Sequence, residues 1–256
     1  MTNRNKNKTA GDYYPGYRHP KLLIGYVVWS YHRFTLSLRH VSEQLIMRGI
    51  AVSYETIREW SLTFGQSYAN EIKRRSPRRG DKWHMDEMCL VMKGKKYWLW
   101  RAVDQEGYEL DILLQSRKNK EAAKRFFVKL LKGLQYMPRV IITDKLASYG
   151  AAKREILPGV KHRQHKGLNN RAENSHQPTQ QKEKQMRKFK SPKQAQRFLP
   201  VHGQIRNLFG AHRYKMAAYD QRAHLIASWS QWQEIVMQKK CARNLGYHSF
   251  RLNFDC

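Results

Sequence analysis

Residues 82–107, KWHMDEMCLVMKGKKYWLWRAVDQEG, constrain this chain more than any other stretch. Trp83, Met85, Met88, Leu90 and Met92 make its first half apolar. Tyr97, Trp98, Leu99, Trp100, Ala102 and Val103 do the same for the second. Between them Lys93-Gly94-Lys95-Lys96 supplies a tight basic turn. Strand-forming runs around a Gly-containing turn predict a β-hairpin. Asp86, with Glu87 beside it, falls inside the first strand. A carboxylate in a central strand is costly unless a metal, a base or a hydrogen-bond donor meets it. The rest of the chain has to supply that partner.

The segments that follow extend the hairpin into a layer. Asp104-Gln105-Glu106-Gly107 reads as a turn, with Asp104 a turn residue, and YELDILLQ (108–115) as a third strand. In NKEAAKRFFVKLLKGL, residues Ala122, Phe126, Leu130 and Leu134 keep a spacing of four, which predicts an amphipathic helix. RVIITD is a short buried strand with Asp144 at its C-terminal end. The order strand, strand, strand, helix, strand predicts an α/β layer whose first three strands form a meander. A short helix (AAKREIL), a Pro-Gly turn and the polar segment VKHRQH come next. The basic stretch after Asn169 reads as a helix, with Pro178 expected to kink it or break it in two. Residues 193–209 form another amphipathic pattern through Ala195, Phe198, Leu199, Ile205, Leu208 and Phe209. After 216 the pattern is weak, although Leu225, Ile226, Trp229, Trp232, Ile235 and Val236 can share one helical face.

Charge sets the class of partner. Lys and Arg number 49 against 20 Asp and Glu, a formal +29. Such an excess implies a polyanion, most often nucleic acid. Three cysteines (Cys89, Cys241, Cys256) at no metal-ligand spacing argue against a disulfide framework or a zinc ribbon. The polar start lacks a signal-peptide core, and no apolar run reaches the ~20 residues of a spanning helix. The expectation is a cytosolic, reduced protein with no membrane partner.

Nearer the N-terminus, Ile24, Val27, Val28 and Tyr31 mark one helix face. In SLRHVSEQLIMRGIAVSYETIREWSLTFG, Ser37 caps a helix with Leu38, Val41 and Leu45 inside, and Arg48-Gly49 ends it. Ser53 caps a second helix with Ile57, Trp60 and Phe64 inside. Two short helices about a Gly-containing turn make the helix-turn-helix pattern, equally the pattern of a plain helical hairpin. In the DNA-binding geometry Tyr54, Glu55, Thr56 and Arg58 face base edges. Residues 65–80, GQSYANEIKRRSPRRG, read as a basic linker with no packed element.

If the first and fourth strands are neighbours, Asp86 and Asp144 can share a divalent metal. Glu173 is the leading third ligand, and oxygen donors suit Mg²⁺ or Mn²⁺ better than zinc. Structural alternatives exist. Asp144 could cap the next turn, and Glu173 stands three residues after Asn170, at capping-box spacing. His84, His162 and His165 read as surface or hydrogen-bonding groups, the last two with a modest case for phosphate contact. Residues 161–190 hold nine Lys or Arg and two acids. Candidate phosphate contacts are Lys145, Arg163, Lys166, Arg171, Lys184, Arg187 and Lys188.

SLRHVSEQLIMRGIAVSYETIREW, KWHMDEMCLVMKGKKYWLWRAVDQEG, TDKLASYGAAKRE and HRQHKGLNNRAENSHQPT together resemble bacterial insertion-sequence transposases of the DDE class, most closely the insertion sequence six family. The resemblance spans roughly residues 18–210. It implies a ribonuclease-H-like core, a mixed sheet with helices, preceded by an all-α helix-turn-helix domain. It implies that Asp86, Asp144 and Glu173 bind catalytic Mg²⁺, with Mn²⁺ able to substitute. It further implies binding to terminal inverted repeats, 3′-end nicking, strand transfer into target DNA, replicative transposition through cointegrates, and a homo-oligomer on paired ends. The expected divisions are a basic tail (1–17), the helix-turn-helix domain (18–66), a linker (67–80), the catalytic domain (81–212) and a C-terminal extension (213–256). The expected location is cytoplasmic, on the nucleoid. Two rival readings are a catalytically inactive DNA-binding regulator derived from a transposase and a structural nucleoid protein.

Overall fold

The computed structural model describes residues 12–144, 146–210 and 216–238. Its hairpin pairs β1 (Lys82–Met92) antiparallel with β2 (Lys95–Val103), Met92 opposite Lys95. Lys93 and Gly94 have φ of 49° and 77°. Two consecutive positive φ values are the type I′ turn that matches strand twist. β3 (Glu109–Gln115) adds antiparallel to β2, completing the meander. Asp104 is the turn residue expected, accepting from the backbone N–H groups of Glu106 and Tyr108 at 3.0 and 2.9 Å.

After α4 (Lys120–Leu134), β4 (Val140–Thr143) inserts parallel to β1 on its free side. The order is β3-β2-β1-β4-β5, which makes β1 central. β5 is Lys161–Gln164, in the VKHRQH segment, where the sequence reading placed no strand. An outermost strand needs only backbone pairing on one side, so its side chains stay polar and carry no pattern. α5 (Ala147–Ile156) starts earlier than AAKREIL suggested. α4 and α5 bury Phe126, Phe127, Leu130, Tyr149 and Ala152 against Trp83, Met85, Trp100, Ala102 and Ile141 of the sheet.

The opposite sheet face meets the N-terminal helices. α1 (Lys21–Arg33) buries Ile24, Val27, Val28 and Tyr31. α2 (Leu38–Ile46) and α3 (Tyr54–Arg75) start on the two serine caps, with Ser37 Oγ accepting from His40 N–H at 3.0 Å and Ser53 Oγ from Thr56 N–H at 3.2 Å. Gly49, φ 74°, makes the turn between them, and Ser42 Oγ donates to the Val52 carbonyl at 2.6 Å.

α3 corrects the linker reading. It runs through residues 65–75 and buries Tyr68, Ala69 and Ile72, continuing the stripe of Ile57, Trp60 and Phe64. SLTFG is therefore mid-helix. Gly65 fits because Val201 packs against it, 3.2 Å from where a Cβ would sit. The run Lys73-Arg74-Arg75 is the last turn, where cations favour the helix dipole. Its charge masked the apolar spacing underneath.

Three further helices complete the fold. α6 (Asn170–Gln185) carries Pro178 without breaking, contrary to a division in two. α7 (Pro192–Phe209) buries the predicted Ala195, Phe198, Leu199, Ile205 and Phe209. It also closes the β3 edge. Asn207 exchanges hydrogen bonds with Glu109 backbone at 2.9 and 2.8 Å, and Gln196 accepts from Leu114 N–H at 2.9 Å. α8 (Ala218–Met237) buries Trp232, Ile235 and Val236, while Leu225 and Ile226 stay exposed, so the predicted face is only its C-terminal half. One cluster joins α1, α2, α3, α7 and α8 to Met88, Leu90, Met92, Leu99 and Ile112 of the sheet.

Candidate metal centre and nucleic-acid interface

The parallel register pairs Met85 with Thr143. One residue further on, Asp86 and Asp144 leave adjacent strands side by side. β4 ends at Thr143 while β1 continues to Met92, so from Asp86 onward β1 has no strand on that side. This notch admits a second carboxylate. Strand alternation aims Glu87 toward α5 and Asp86 toward α6, yet at an open edge both reach Asp144. One ligand oxygen from each of Asp86, Glu87 and Asp144 lies within 4.8 Å of the others. All three are half-buried.

Each acid is held by its surroundings. Asp144 Oδ1 accepts from Leu146 N–H at 3.0 Å, so it shapes the turn into α5 and still faces the cluster. Glu87 pairs with Lys118, whose ammonium also lies 4.7 Å from the Trp98 ring centroid. Burial pushes the Glu87 carboxyl above its usual pKa, and Lys118 pulls it partly back. Asp86 Oδ2 stands 3.3 Å from Nε2 of buried His176, and Arg101, buried too, is its cross-strand neighbour. Burial lowers the His176 pKa, with Asp86 opposing, so the ring is neutral at pH 7.

Glu173 lies on the first turn of α6, exposed and outside the 4.8 Å cluster. The capping-box alternative is not realised. The N-cap is Asn169, and its side chain makes no cap bond. Instead Asn169 Nδ2 donates to the Met85 carbonyl at 2.9 Å, fixing the start of α6 beside Asp86. His176 is one turn beyond Glu173 on the same helix. The sequence reading singled out neither His176, Asn169 nor Lys118, and took Glu87 only as a neighbour. The i, i+3 spacing of Glu173 and His176 was the available signal.

The donor set fits a hard divalent cation. It offers carboxylate oxygens only, and Glu87 Oε2 is buried without a hydrogen-bond partner. A family model described as a DDE domain, of the IS240 transposase type, matches residues 80–212. The transposase for insertion sequence-like element IS431mec of Staphylococcus aureus is 33% identical over 161 residues, covering 61% of this chain and 71% of the relative.

The chain belongs to the DDE-class insertion-sequence transposases, insertion sequence six family.

The Staphylococcus aureus transposase for IS257 in transposon Tn4003 is 32% identical to this transposase, with the same 61% and 71% coverage. Among solved structures, the catalytic domain of Mos1 mariner transposase aligns at 14% identity over 68% of this chain and 89% of that one, TM-score 0.37. The HTLV-2 integrase catalytic core in complex with magnesium aligns at 21% over 39% and 68%, TM-score 0.31. The described sheet is five-stranded and mixed, with helices packed on both faces, the mixed sheet with helices that the sequence led us to expect.

The transposase presents the remaining predicted residues unevenly. Tyr54 opens α3, exposed, with the Arg39 guanidinium 5.2 Å from its ring centroid. Thr56 is tied to Ser53 through their hydroxyls at 3.0 Å, and Arg58 pairs with Glu55 at 2.7 Å. Arg163, Arg171, Lys184, Arg187 and Lys188 are all exposed, on β5 and on or just past α6. Lys145, and the side chain of Lys166, lie outside the described residues. His162 is no free phosphate contact, since its Nε2 bonds Thr143 Oγ1 at 2.9 Å next to Asp144. His84 is buried, and His165 is exposed. No helix among the described residues is long and apolar enough to cross a membrane.

Proposed function

We propose that this transposase binds the terminal inverted repeats of its element, nicks the 3′ ends and transfers them into target DNA, by a replicative route that leaves cointegrates. The observation that carries the reading is the convergence of Asp86 and Asp144 from adjacent parallel strands, ligand oxygens within 4.8 Å. Asp86 and Asp144 hold the divalent cation, Mg²⁺ with Mn²⁺ as substitute, and Glu173 completes the set once DNA is bound. Bound there, a pair of such cations activates an oxygen nucleophile and stabilises the leaving oxygen of a phosphodiester.

The chain's own groups do the rest. His176 restrains the Asp86 carboxylate, and buried Arg101, paired opposite Asp86 on β2, places a positive charge behind it while holding Glu109 and α6. Asn169 fixes the entry of α6, so Glu173 approaches from a set direction. Exposed Arg163, Arg171, Lys184, Arg187 and Lys188 hold phosphates near the centre, Lys145 and Lys166 join them, and binding weakens steeply with salt. In the helix-turn-helix, α3 enters the major groove with Tyr54, Thr56 and Arg58 at base edges; Arg58 must leave Glu55 to do so. Two paired ends call for at least a dimer. The protein works on the nucleoid, without a membrane.

The test is strand transfer. A pre-nicked duplex carrying the terminal repeat is mixed with plasmid, full-length protein and Mg²⁺, Mn²⁺ or EDTA. Joined product should need metal and fall at least about a hundredfold in Asp86→Asn, Asp144→Asn and Glu173→Gln, with duplex affinity retained. Repeat binding without joining under either metal contradicts the enzyme and leaves the regulator.

A further inference from the structure

α6 is nearly devoid of apolar residues, yet one face of it is buried: Ala172, His176, Thr179 and Lys182. The polar members of that face each meet a defined partner. His176 reaches Asp86. Thr179 Oγ1 accepts from buried Arg101 at 2.6 Å, and Arg101 also donates to the Ser175 carbonyl, one turn before Thr179. Lys182, 1% exposed, sits at the far end. Its ammonium donates to the carbonyls of Tyr31, Phe34 and Leu36 at 2.6, 3.1 and 2.7 Å. Three N–H donors thus meet three acceptors where α1 ends, and a helix C-terminus favours a cation. The Tyr31 ring centroid lies 4.2 Å from the same nitrogen.

The next turn of α6 adds a second tie. With its amide oriented to satisfy both groups, Gln185 donates to the Leu36 carbonyl at 3.3 Å and accepts from Ser37 N–H at 3.1 Å. Ser37 is the N-cap of α2, the first helix of the helix-turn-helix. One rigid element, nine residues or about 14 Å from Glu173 to Lys182, therefore spans from the acidic centre to the start of the DNA-reading helices.

We propose that α6 is the strut through which engagement of the helix-turn-helix sets Glu173 and His176 at the cation centre, with Lys182 and Gln185 the positioning residues at its far end. The inference rests on the cation-dependent function above. The fold offers no comparable hydrophobic glue along this face, so the polar ties carry the coupling.

Mn²⁺ affinity is measured on the full chain, alone and with a duplex bearing the terminal repeat. In the wild type the duplex should tighten Mn²⁺ binding about tenfold, an ordinary size for coupled sites. Lys182→Met, which keeps the stem and removes the donors, should cut that to under twofold. Gln185→Ala, a half-exposed site that disturbs no buried charge, should do the same. Duplex affinity, and Mn²⁺ affinity without DNA, should stay within twofold of wild type, and strand transfer should fall about tenfold. A tenfold tightening retained in folded Gln185→Ala overturns the proposal, as does no tightening in the wild type. Mn²⁺ binding that ignores Asp86→Asn is a different failure, that of the cation centre itself.

Discussion

For the proposed cation centre, Glu87 and Glu173 are two candidates for the third carboxylate, and a measurement separates them. Glu87 is within reach of Asp86 and Asp144 without DNA, while Glu173 is exposed one turn into α6. Glu87→Gln should therefore weaken Mn²⁺ binding to the DNA-free protein several-fold, and Glu173→Gln should leave it within about twofold while abolishing strand transfer. Calorimetric titration of the two variants separates them. The reverse pattern would make Glu173 a ligand already in the free protein. The backbone adds a residue-scale check at the hairpin. Gly94 has φ 77°, and a side chain there is strained. Gly94→Ala should cost about 1 kcal/mol in denaturant melts, with no change in metal affinity.

At the scale of elements, α3 gives the sharpest contrast. Ile72 is buried on its inner face, whereas Arg74 is mostly exposed. Ile72→Ala should destabilise by about 2–4 kcal/mol, whereas Arg74→Ala should move the urea midpoint far less. Equal, small effects would restore the linker reading. The last turn also carries an acid-sensitive tie. Glu71 bonds Arg74 at 2.5 Å and Arg75 at 2.9 Å, and those guanidiniums hold its pKa down to about 2. Its carboxylate is covered by its own arginines more than by the core, so solvent screening trims the gain to roughly 1 kcal/mol. A depressed acid contributes above its unfolded pKa, here 4.5, and loses the contribution as pH falls through about 2. Thermal melts of Glu71→Gln should accordingly converge on wild type near pH 2 and lie below it at pH 6.

Some elements were legible because local rules acted alone. The two serine caps, Gly49, the Lys93-Gly94 turn and the four-residue spacing of α4 all needed no tertiary information. Asp86 was legible for the same reason, as a strand carboxylate with no local partner, whereas Asp144 follows β4 and also holds the turn to Leu146, so the sequence left a capping role open for it. Elsewhere tertiary packing decided. Lys73-Arg74-Arg75 hid the Phe64, Tyr68, Ile72 stripe. Pro178 removes one N–H from α6, but Arg101 ties the carbonyl of Ser175 and the hydroxyl of Thr179 around it, so the helix holds. Glu87 joined the cluster only because β4 stops at Thr143, and strand length is not written in an alternation pattern. His176 and Lys182 are polar residues whose partners lie 90 and about 150 positions away in the chain.

Across the whole molecule, one core joins the N-terminal helices α1–α3 to the sheet that carries the acids, and α6 bridges the same two regions through polar contacts. The central claim remains that Asp86 and Asp144 share a divalent cation during DNA joining. The measurement to make is metal rescue. Strand transfer by Asp86→Cys and Asp144→Cys is compared in Mg²⁺ and in Mn²⁺, since a thiolate is a poor ligand for the harder Mg²⁺. Each variant should be inactive with Mg²⁺ and recover at least about tenfold with Mn²⁺, while Glu87→Cys retains joining in both. Equal loss in the two metals at either aspartate, with the fold and repeat binding intact, would contradict direct coordination there.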